Sequence, residues 1–168
     1  MDRYQKFIQE KAKKKRDLMG SMFFPRTPII FADFSHLKNA REMRDLLEAF
    51  DAIRLNAFVV VPKGKKDLPE GKFLRYFAPD ERDHALSAAD FAVILDGEVS
   101  EIVKNGCVPI TYEKEGETKN YNPVQEEGNG FFFKNPTKWE IFAAIVRALE
   151  TYQFPYDWEN LIRAIWAK

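Results

Sequence analysis

Residues 88–110 constrain the fold of this chain more than any other stretch, because they predict a strand, a short helix and a second strand in close succession. Residues 91–95 form a nearly unbroken apolar run, which is typical of a strand buried on both faces of a parallel sheet. A helix that ends at Gly106 follows, and a second strand is predicted over residues 107–111. A strand, helix and strand this close together predict a right-handed crossover between parallel strands.

The loop between the first of these strands and the helix is a candidate functional site. Asp96 follows the strand and is expected to cap the helix, and Glu98 places negative charge in the first helical turn. Ligands of open parallel sheets bind at the carboxyl ends of the strands. The pattern therefore predicts a binding rim over residues 96–100.

The rest of the chain alternates apolar strands with amphipathic helices, which predicts an α/β fold with a mostly parallel sheet. We expect a single domain over residues 1–168. It would comprise an N-terminal helix (1–20), the sheet with its crossover helices (28–133) and C-terminal helices (135–168). Further strands are predicted at 29–32, 57–61, 72–77 and 131–133, and further helices at 40–54 and 80–89.

The C-terminal helices are predicted from a start signal and from their apolar spacing. Asn135 and Pro136 resemble a cap residue followed by the first helical position. The buried face of that helix is expected to include Trp139 and Val146. Asp157 is expected to cap the last helix, and its aromatic stripe is interpreted as core, with a binding role as the alternative.

Composition excludes several classes of function. Lys and Arg number 26, as do Asp and Glu, so net charge offers no argument for nucleic acid or an acidic membrane as partner. No apolar run reaches the roughly 18 residues of a membrane span, and the polar N-terminus lacks a signal-peptide core. The cytoplasm is the expected location. The single cysteine, Cys107, excludes an internal disulfide and is expected to be a small buried residue.

A basic run over residues 11–16 has two interpretations. It is either a solvated face of the N-terminal helix or a site for phosphate or another anionic partner.

Searches for chemical motifs exclude the commonest sites. His36 and His84 lack partners at metal-ligand spacing, so no metal is expected. Neither phosphate-binding glycine motif occurs, nor does the serine-hydrolase elbow. The nearest glycine pair, Gly128 and Gly130, precedes a strand and is interpreted as a turn. No cofactor is expected.

Motifs in the second half resemble the C-terminal domain of bacterial glycogen and starch synthases, which are retaining GT-B glycosyltransferases that use ADP-glucose. The matching motifs are, in chain order, Ala89-Asp90-Phe91, Gly106 with Pro109-Ile110, Tyr121-Asn122-Pro123 and Gly128 through Phe133. The resemblance is specific over residues 88–152. It implies a Rossmann-like three-layer α/β/α domain that binds a nucleotide sugar such as ADP-glucose.

The resemblance also implies site residues. Lys38 occupies the position of a lysine that holds the donor diphosphate, and Glu101 that of an acid that contacts the donor sugar or ribose. These are the two catalytic candidates. The donor-binding candidates, which fall on the shortened donor loop and on a turn that is glycine-rich in the family, are Asp96, Gly97, Glu98 and Gly116.

Departures from the family pattern favour a second hypothesis. Asp33 stands where the family has an arginine that contacts the diphosphate, and a carboxylate there would repel a phosphate. The donor loop is short, and the N-terminal half of a GT-B enzyme is expected to be missing from the chain. The alternatives are therefore a donor-binding half completed by a separate chain, an interaction or regulatory protein that keeps the fold, and an unrelated flavodoxin-like binding domain.

Overall fold

The computed structural model describes residues 2–20, 27–35, 40–62, 64, 67–95 and 98–167. A six-stranded parallel sheet forms the centre of these residues. The strands are β1 (Ile29–Asp33), β2 (Asn56–Val60), β3 (Leu74–Phe77), β4 (Phe91–Ile94), β5 (Val108–Tyr112) and β6 (Phe131–Phe133). The helices are α1 (Arg3–Met19), α2 (Ala40–Ala52), α3 (Arg82–Ala88), α4 (Val99–Lys104), α5 (Lys138–Tyr152) and α6 (Pro155–Trp166).

The strand order is β3-β2-β1-β4-β5-β6, and every neighbouring pair is parallel. The chain reverses its direction of winding between β1 and β4, which pair through Ile30 and Phe91. This is the Rossmann-type order, and it differs from the flavodoxin-like order. The expectation of an α/β domain with a parallel sheet is therefore confirmed.

Helices cover both faces of the sheet, so β1, β2 and β4 are buried throughout. On one face, α3 and α4 contribute Leu86 and Ile102 to a core that includes Phe31 and Phe58. On the other face, α2, α5 and α6 pack on Ile30 and its neighbours. Continuous apolar runs predict such strands because both of their faces need covering.

The basic run on α1 divides between surface and interior. Lys11 and Lys15 are buried, whereas Lys13 and Lys14 are exposed. The Lys15 ammonium lies 2.6 Å from the buried carboxylate of Asp90. The interpretation as a solvated helix face is therefore correct for Lys13 and Lys14 and wrong for Lys11 and Lys15, because the helical period places the latter two on the inward face.

The buried end of Lys11 donates hydrogen bonds to the carbonyl oxygens of Ala89 and Asn105, the latter at 3.0 Å. Cys107 lies beside it, and its thiol donates to the Leu86 and Ala89 carbonyl oxygens at 3.1 Å each. Burial raises the pKa of this thiol, which confirms Cys107 as a small buried residue. These contacts attach α1 to the amino ends of β4 and β5.

The predicted start of α5 was wrong, and its predicted buried face was wrong at Trp139 and Val146. The cap is Thr137, whose hydroxyl accepts from the Glu140 amide at 3.3 Å, whereas Asn135 donates to the Glu140 side chain. Trp139 is 72% exposed, and Val146 is exposed as well. The sheet-facing stripe instead contains alanines, which let the helix approach the strands closely; it consists of Ile141, Ala144, Ile145, Ala148 and Thr151.

The last helix begins earlier than expected. Pro155 lies in its first turn and Phe154 is the cap residue, so Asp157 falls inside the helix. Trp158 is buried, which confirms that the aromatic stripe is core. No helix in the described ranges has both the length and the apolar character needed to cross a membrane.

Replacing Gly106 with alanine is expected to lower the free energy of unfolding by about 1–3 kcal/mol. Gly106 has a φ of 67°, and an added Cβ would lie 2.5 Å from the Phe7 ring of α1. The measurement is urea unfolding followed by circular dichroism. Gly64, with a φ of 77° and open space around it, provides a control that carries the backbone strain alone. Equal losses for the two alanine variants would contradict the packing argument.

Candidate functional site

The carboxyl ends of β1 and β4 meet at the point where the strand order reverses, which is where ligands bind in sheets of this kind. Asp33 ends β1, and α4 follows β4. The loop after β3 brings the start of α3 to the same edge of the sheet. Side chains from three separate crossovers therefore converge there.

Asp33 points toward α3. Its carboxylate accepts hydrogen bonds from the Ser35 amide at 3.0 Å and from the Arg82 Nε at 2.9 Å, together with the Ser35 hydroxyl. Burial alone would raise the pKa of Asp33, but these donors outweigh it, so the pKa lies below its ordinary value. The position at which the resemblance implies an arginine thus holds an ionised carboxylate.

Arg82 connects two acids. Its NH1 group lies 2.5 Å from Glu101 Oε1 and its NH2 group 3.4 Å from Glu101 Oε2, while its Nε donates to Asp33. The guanidinium also lies 5.7 Å from the centre of the Phe31 ring. We call this arrangement the Asp33–Arg82–Glu101 bridge. It joins β1, α3 and α4 across the reversal point.

A cleft of about 650 Å³ runs between α4 and the loop after β5. Glu98 and Ser100 line it from α4, and Gly116 lines it from the loop. Lys104 and Lys114 bring positive charge to the same cleft. Gly116 has a φ of 78° with no atom within 4 Å of an added Cβ, so its backbone faces open space. A cleft of this size falls in the range of small-molecule sites.

The structure brings together part of the predicted site. Glu98 and Gly116 both line the cleft. Glu101 does not line it and instead binds Arg82 in the bridge. Lys38, Asp96 and Gly97 lie outside the described residues, as does His36. The assignment of these residues to a donor remains a prediction. Across the described ranges, no group of three or more His, Cys, Asp or Glu side chains is placed to hold a metal ion.

Arg82 is the site residue that sequence reasoning missed. The sequence pattern predicts a helix over residues 80–89 and gives it no functional role. A basic residue at the start of a helix that follows a strand reaches the carboxyl edge of the sheet, and this position could have identified it. Asp33 also predicts a cationic partner, since a buried acid requires one.

Several of the motif residues have structural roles. The Tyr121 hydroxyl donates to Asp157 of α6 at 3.0 Å, which ties the loop before β6 to the last helix. Asp90 binds Lys15 at the amino edge of the sheet, opposite the cleft. An added Cβ on Gly130 would lie 2.6 Å from the Pro109 carbonyl oxygen, so β6 needs glycine there to approach β5.

Comparison with known proteins finds a short stretch of sequence similarity to glycogen synthases. No protein-family model matches the sequence. Glycogen synthase 1 of Synechocystis sp. is 34% identical over 62 residues, and the glycogen synthase of Geobacillus stearothermophilus is 37% identical over 62 residues. Each match covers 35% of this chain and 13% of the relative, so the chain corresponds to a small part of those enzymes.

Solved structures extend the likeness to nearly the whole chain. The catalytic domain of starch synthase IV from Arabidopsis thaliana, bound to ADP and acarbose, superimposes with a TM-score of 0.72 at 14% identity, covering 96% of this chain and 39% of that one. The chain has a GT-B Rossmann-like α/β fold. The C-terminal CMP-Kdo-binding domain of WaaA from Acinetobacter baumannii also matches, with a TM-score of 0.57 at 9% identity and 97% of each chain covered. This GT-B-like domain therefore has the fold that the resemblance implied, and the hypothesis of an unrelated flavodoxin-like domain is wrong.

Proposed function

We propose that this GT-B-like domain binds a nucleotide sugar, with ADP-glucose as the first candidate, at the carboxyl edge of its sheet. The observation that carries the proposal is the cleft of about 650 Å³ between α4, which follows β4, and the Gly116 turn, which follows β5. A starch synthase structure with the same fold was solved with ADP bound, and a WaaA domain of similar extent is described as CMP-Kdo-binding. Both support the choice of ligand class.

The residues at this edge suit a nucleotide sugar in kind. A diphosphate needs cations, and Lys114, which follows β5, lines the cleft at this edge. Lys38, which follows β1 in the sequence, is proposed as a further phosphate contact on the strength of the resemblance. Glu98 and Glu101 offer carboxylates that accept hydrogen bonds from sugar hydroxyls.

Transfer of the sugar needs more than a donor site. An acceptor must be held in line with the donor, and orientation of this kind supplies much of the rate enhancement of an enzyme. We propose that a second GT-B half, in the same polypeptide or in a partner chain, completes the cleft. Asp96 and Gly97, which precede α4, are proposed to contact the donor from the first half.

A second candidate function is a non-catalytic interaction or regulatory role. The ionised Asp33 at the carboxyl end of β1 favours it, because a buried negative charge there opposes a diphosphate. On this alternative the domain keeps the fold and binds a protein partner.

Calorimetric titration with ADP, UDP, ADP-glucose and UDP-glucose tests the proposal. One nucleotide is expected to bind with a Kd below about a millimolar, and Lys38→Ala is expected to weaken binding about tenfold or more, since a hydrogen bond to a charged group contributes about 1.5–3 kcal/mol. Lys13→Ala removes an exposed lysine from α1, at the opposite edge of the sheet, and serves as the charge control. The absence of heat with all four ligands would contradict donor binding and favour the interaction protein.

A further inference from the structure

The Asp33–Arg82–Glu101 bridge is asymmetric, and the asymmetry bears on which of its contacts a ligand could replace. The Asp33 side chain is 9% exposed and the Glu101 side chain 42% exposed, with Arg82 between them at 20%. Asp33 binds Nε at 2.9 Å, whereas Glu101 binds the terminal nitrogens, NH1 and NH2. The inner contact is therefore held by the core, and the outer one faces water.

An arginine binds a phosphate mainly through its two terminal nitrogens. Two parallel N–H donors match the spacing of two phosphate oxygens, as they match those of a carboxylate. Glu101 occupies that edge of the guanidinium now, in a pairing with phosphate-like geometry. Asp83 makes a weaker contact with NH1 at 3.4 Å, and its side chain is 88% exposed. It therefore adds negative charge near the terminal nitrogens of Arg82 without blocking access to them.

The position of Arg82 also fits the middle of a nucleotide sugar. Glu101 belongs to α4, and the neighbouring residues Glu98 and Ser100 line the cleft on the other side of that helix. A nucleotide sugar carries its diphosphate between the nucleoside and the sugar. A diphosphate near the start of α4 would meet an arginine that the Phe31 ring and Asp33 hold in place at the reversal point, where ligands of such sheets bind.

We infer that Arg82 is the cation that contacts the donor diphosphate, and that Glu101 occupies its terminal nitrogens until the donor displaces it. Asp33 is then a positioning residue that holds Nε and fixes the plane of the guanidinium. The displaced Glu101 is free to accept hydrogen bonds from donor hydroxyls. This inference rests on the proposed function and deepens it, because it makes donor binding an exchange of one partner of Arg82 for another.

The exchange predicts opposite effects for the two partners. Glu101→Gln removes the competing charge and is expected to tighten pyrophosphate binding by about two- to fivefold, the scale of a partly exposed ion pair. Arg82→Gln is expected to weaken binding of pyrophosphate and ADP by about tenfold or more. Arg82→Lys keeps the charge but cannot form two parallel hydrogen bonds, so an intermediate loss of affinity is expected. This variant also serves as a second test if Arg82→Gln fails to fold. Asp80→Asn removes an exposed charge at the same end of α3 and is the matched control for Glu101→Gln.

The experiment is an NMR titration of the whole chain with pyrophosphate and with ADP, after circular dichroism has shown that each variant is folded. The Arg82 Nε–H resonance, assigned by its loss in Arg82→Gln, is expected to persist because Asp33 retains it, and to shift as the terminal nitrogens change partner. Wild-type protein that binds ADP, together with an Arg82→Gln variant that binds it equally well, would overturn the inference and leave the proposed function standing. Binding of pyrophosphate by Glu101→Gln without any nucleotide binding by the wild type would support the inference and count against the proposed function. No binding by any variant would overturn both.

Discussion

Replacing Lys15 with methionine is expected to lower the free energy of unfolding by about 3–5 kcal/mol, the usual cost of breaking a buried ion pair from one side. Lys15 and Asp90 are both buried, and their charged groups lie 2.6 Å apart. Without the lysine, the Asp90 carboxylate would keep, among the described residues, the Ile29 amide 2.8 Å away as its one hydrogen-bond donor. An ionised group in that environment lacks compensation for the water that it lost on folding.

Urea unfolding of a series of variants measures this effect. Lys13→Met, on the exposed side of the same helix, is expected to change stability by less than about 0.5 kcal/mol. Adding Asp90→Asn to Lys15→Met removes the unpaired charge and is expected to restore part of the loss, as a double-mutant cycle would reveal. A Lys15→Met variant as stable as Lys13→Met would show that the pair contributes nothing to the attachment of α1.

Replacing Phe91 with alanine is expected to cost about 3–5 kcal/mol, the range for truncating a large aromatic side chain in a core. Phe91 is fully buried on β4, and its ring centre lies 5.1 Å from that of Trp158, 5.9 Å from Tyr152 and 6.4 Å from Phe131. Alanine would leave a cavity where β4, β6, α5 and α6 meet, and rigid secondary structure on all sides limits how far it can collapse.

Thermal and urea unfolding, with tryptophan fluorescence as a second probe, measure the loss. Trp139→Ala is the matched control, since this large aromatic residue is exposed on the same helix that supplies Tyr152, and it is expected to change stability by less than about 0.5 kcal/mol. Similar losses for Phe91→Ala and Trp139→Ala would show that the exposed face of α5 contributes as much to stability as the core.

The sheet was predictable from the sequence because buried parallel strands have a distinctive pattern. The apolar runs at β1, β2 and β4 are short, continuous and bounded by polar residues, and the structure places strands within one or two residues of them. The face of α5 was predicted less well. Trp139 lies at helical spacing from other apolar residues, so spacing alone allows it to face the core. Spacing does not show that an overlapping stripe rich in alanine is the one that faces the sheet. That choice depends on how closely the helix approaches the strands.

The site was predictable only in the residues that are close to one another along the chain. Glu98 and Glu101 follow β4 directly, so their place at the carboxyl edge follows from the crossover. Arg82 reaches the same edge from a different crossover, and its partners lie 49 and 19 positions away. Pairings at such distances depend on strand order, and strand order cannot be read from one sequence by periodicity. The interior position of Lys15 was missed for the same reason, since its partner lies 75 positions away.

The buried lysines of α1 have a consequence for the order of events in folding. The acceptors of Lys11 lie 78 and 94 positions further along the chain, at Ala89 and Asn105. An isolated helix with few apolar contacts is marginal in water, and loops of this length close slowly and at an entropic cost. The ammonium groups can leave water only when β4 and β5 already present their carbonyl and carboxylate oxygens. Docking of α1 is thus coupled to formation of β4 and β5. Protection of the α1 amides from hydrogen exchange therefore reports whether β4 and β5 are intact, although these strands are far from α1 in the sequence.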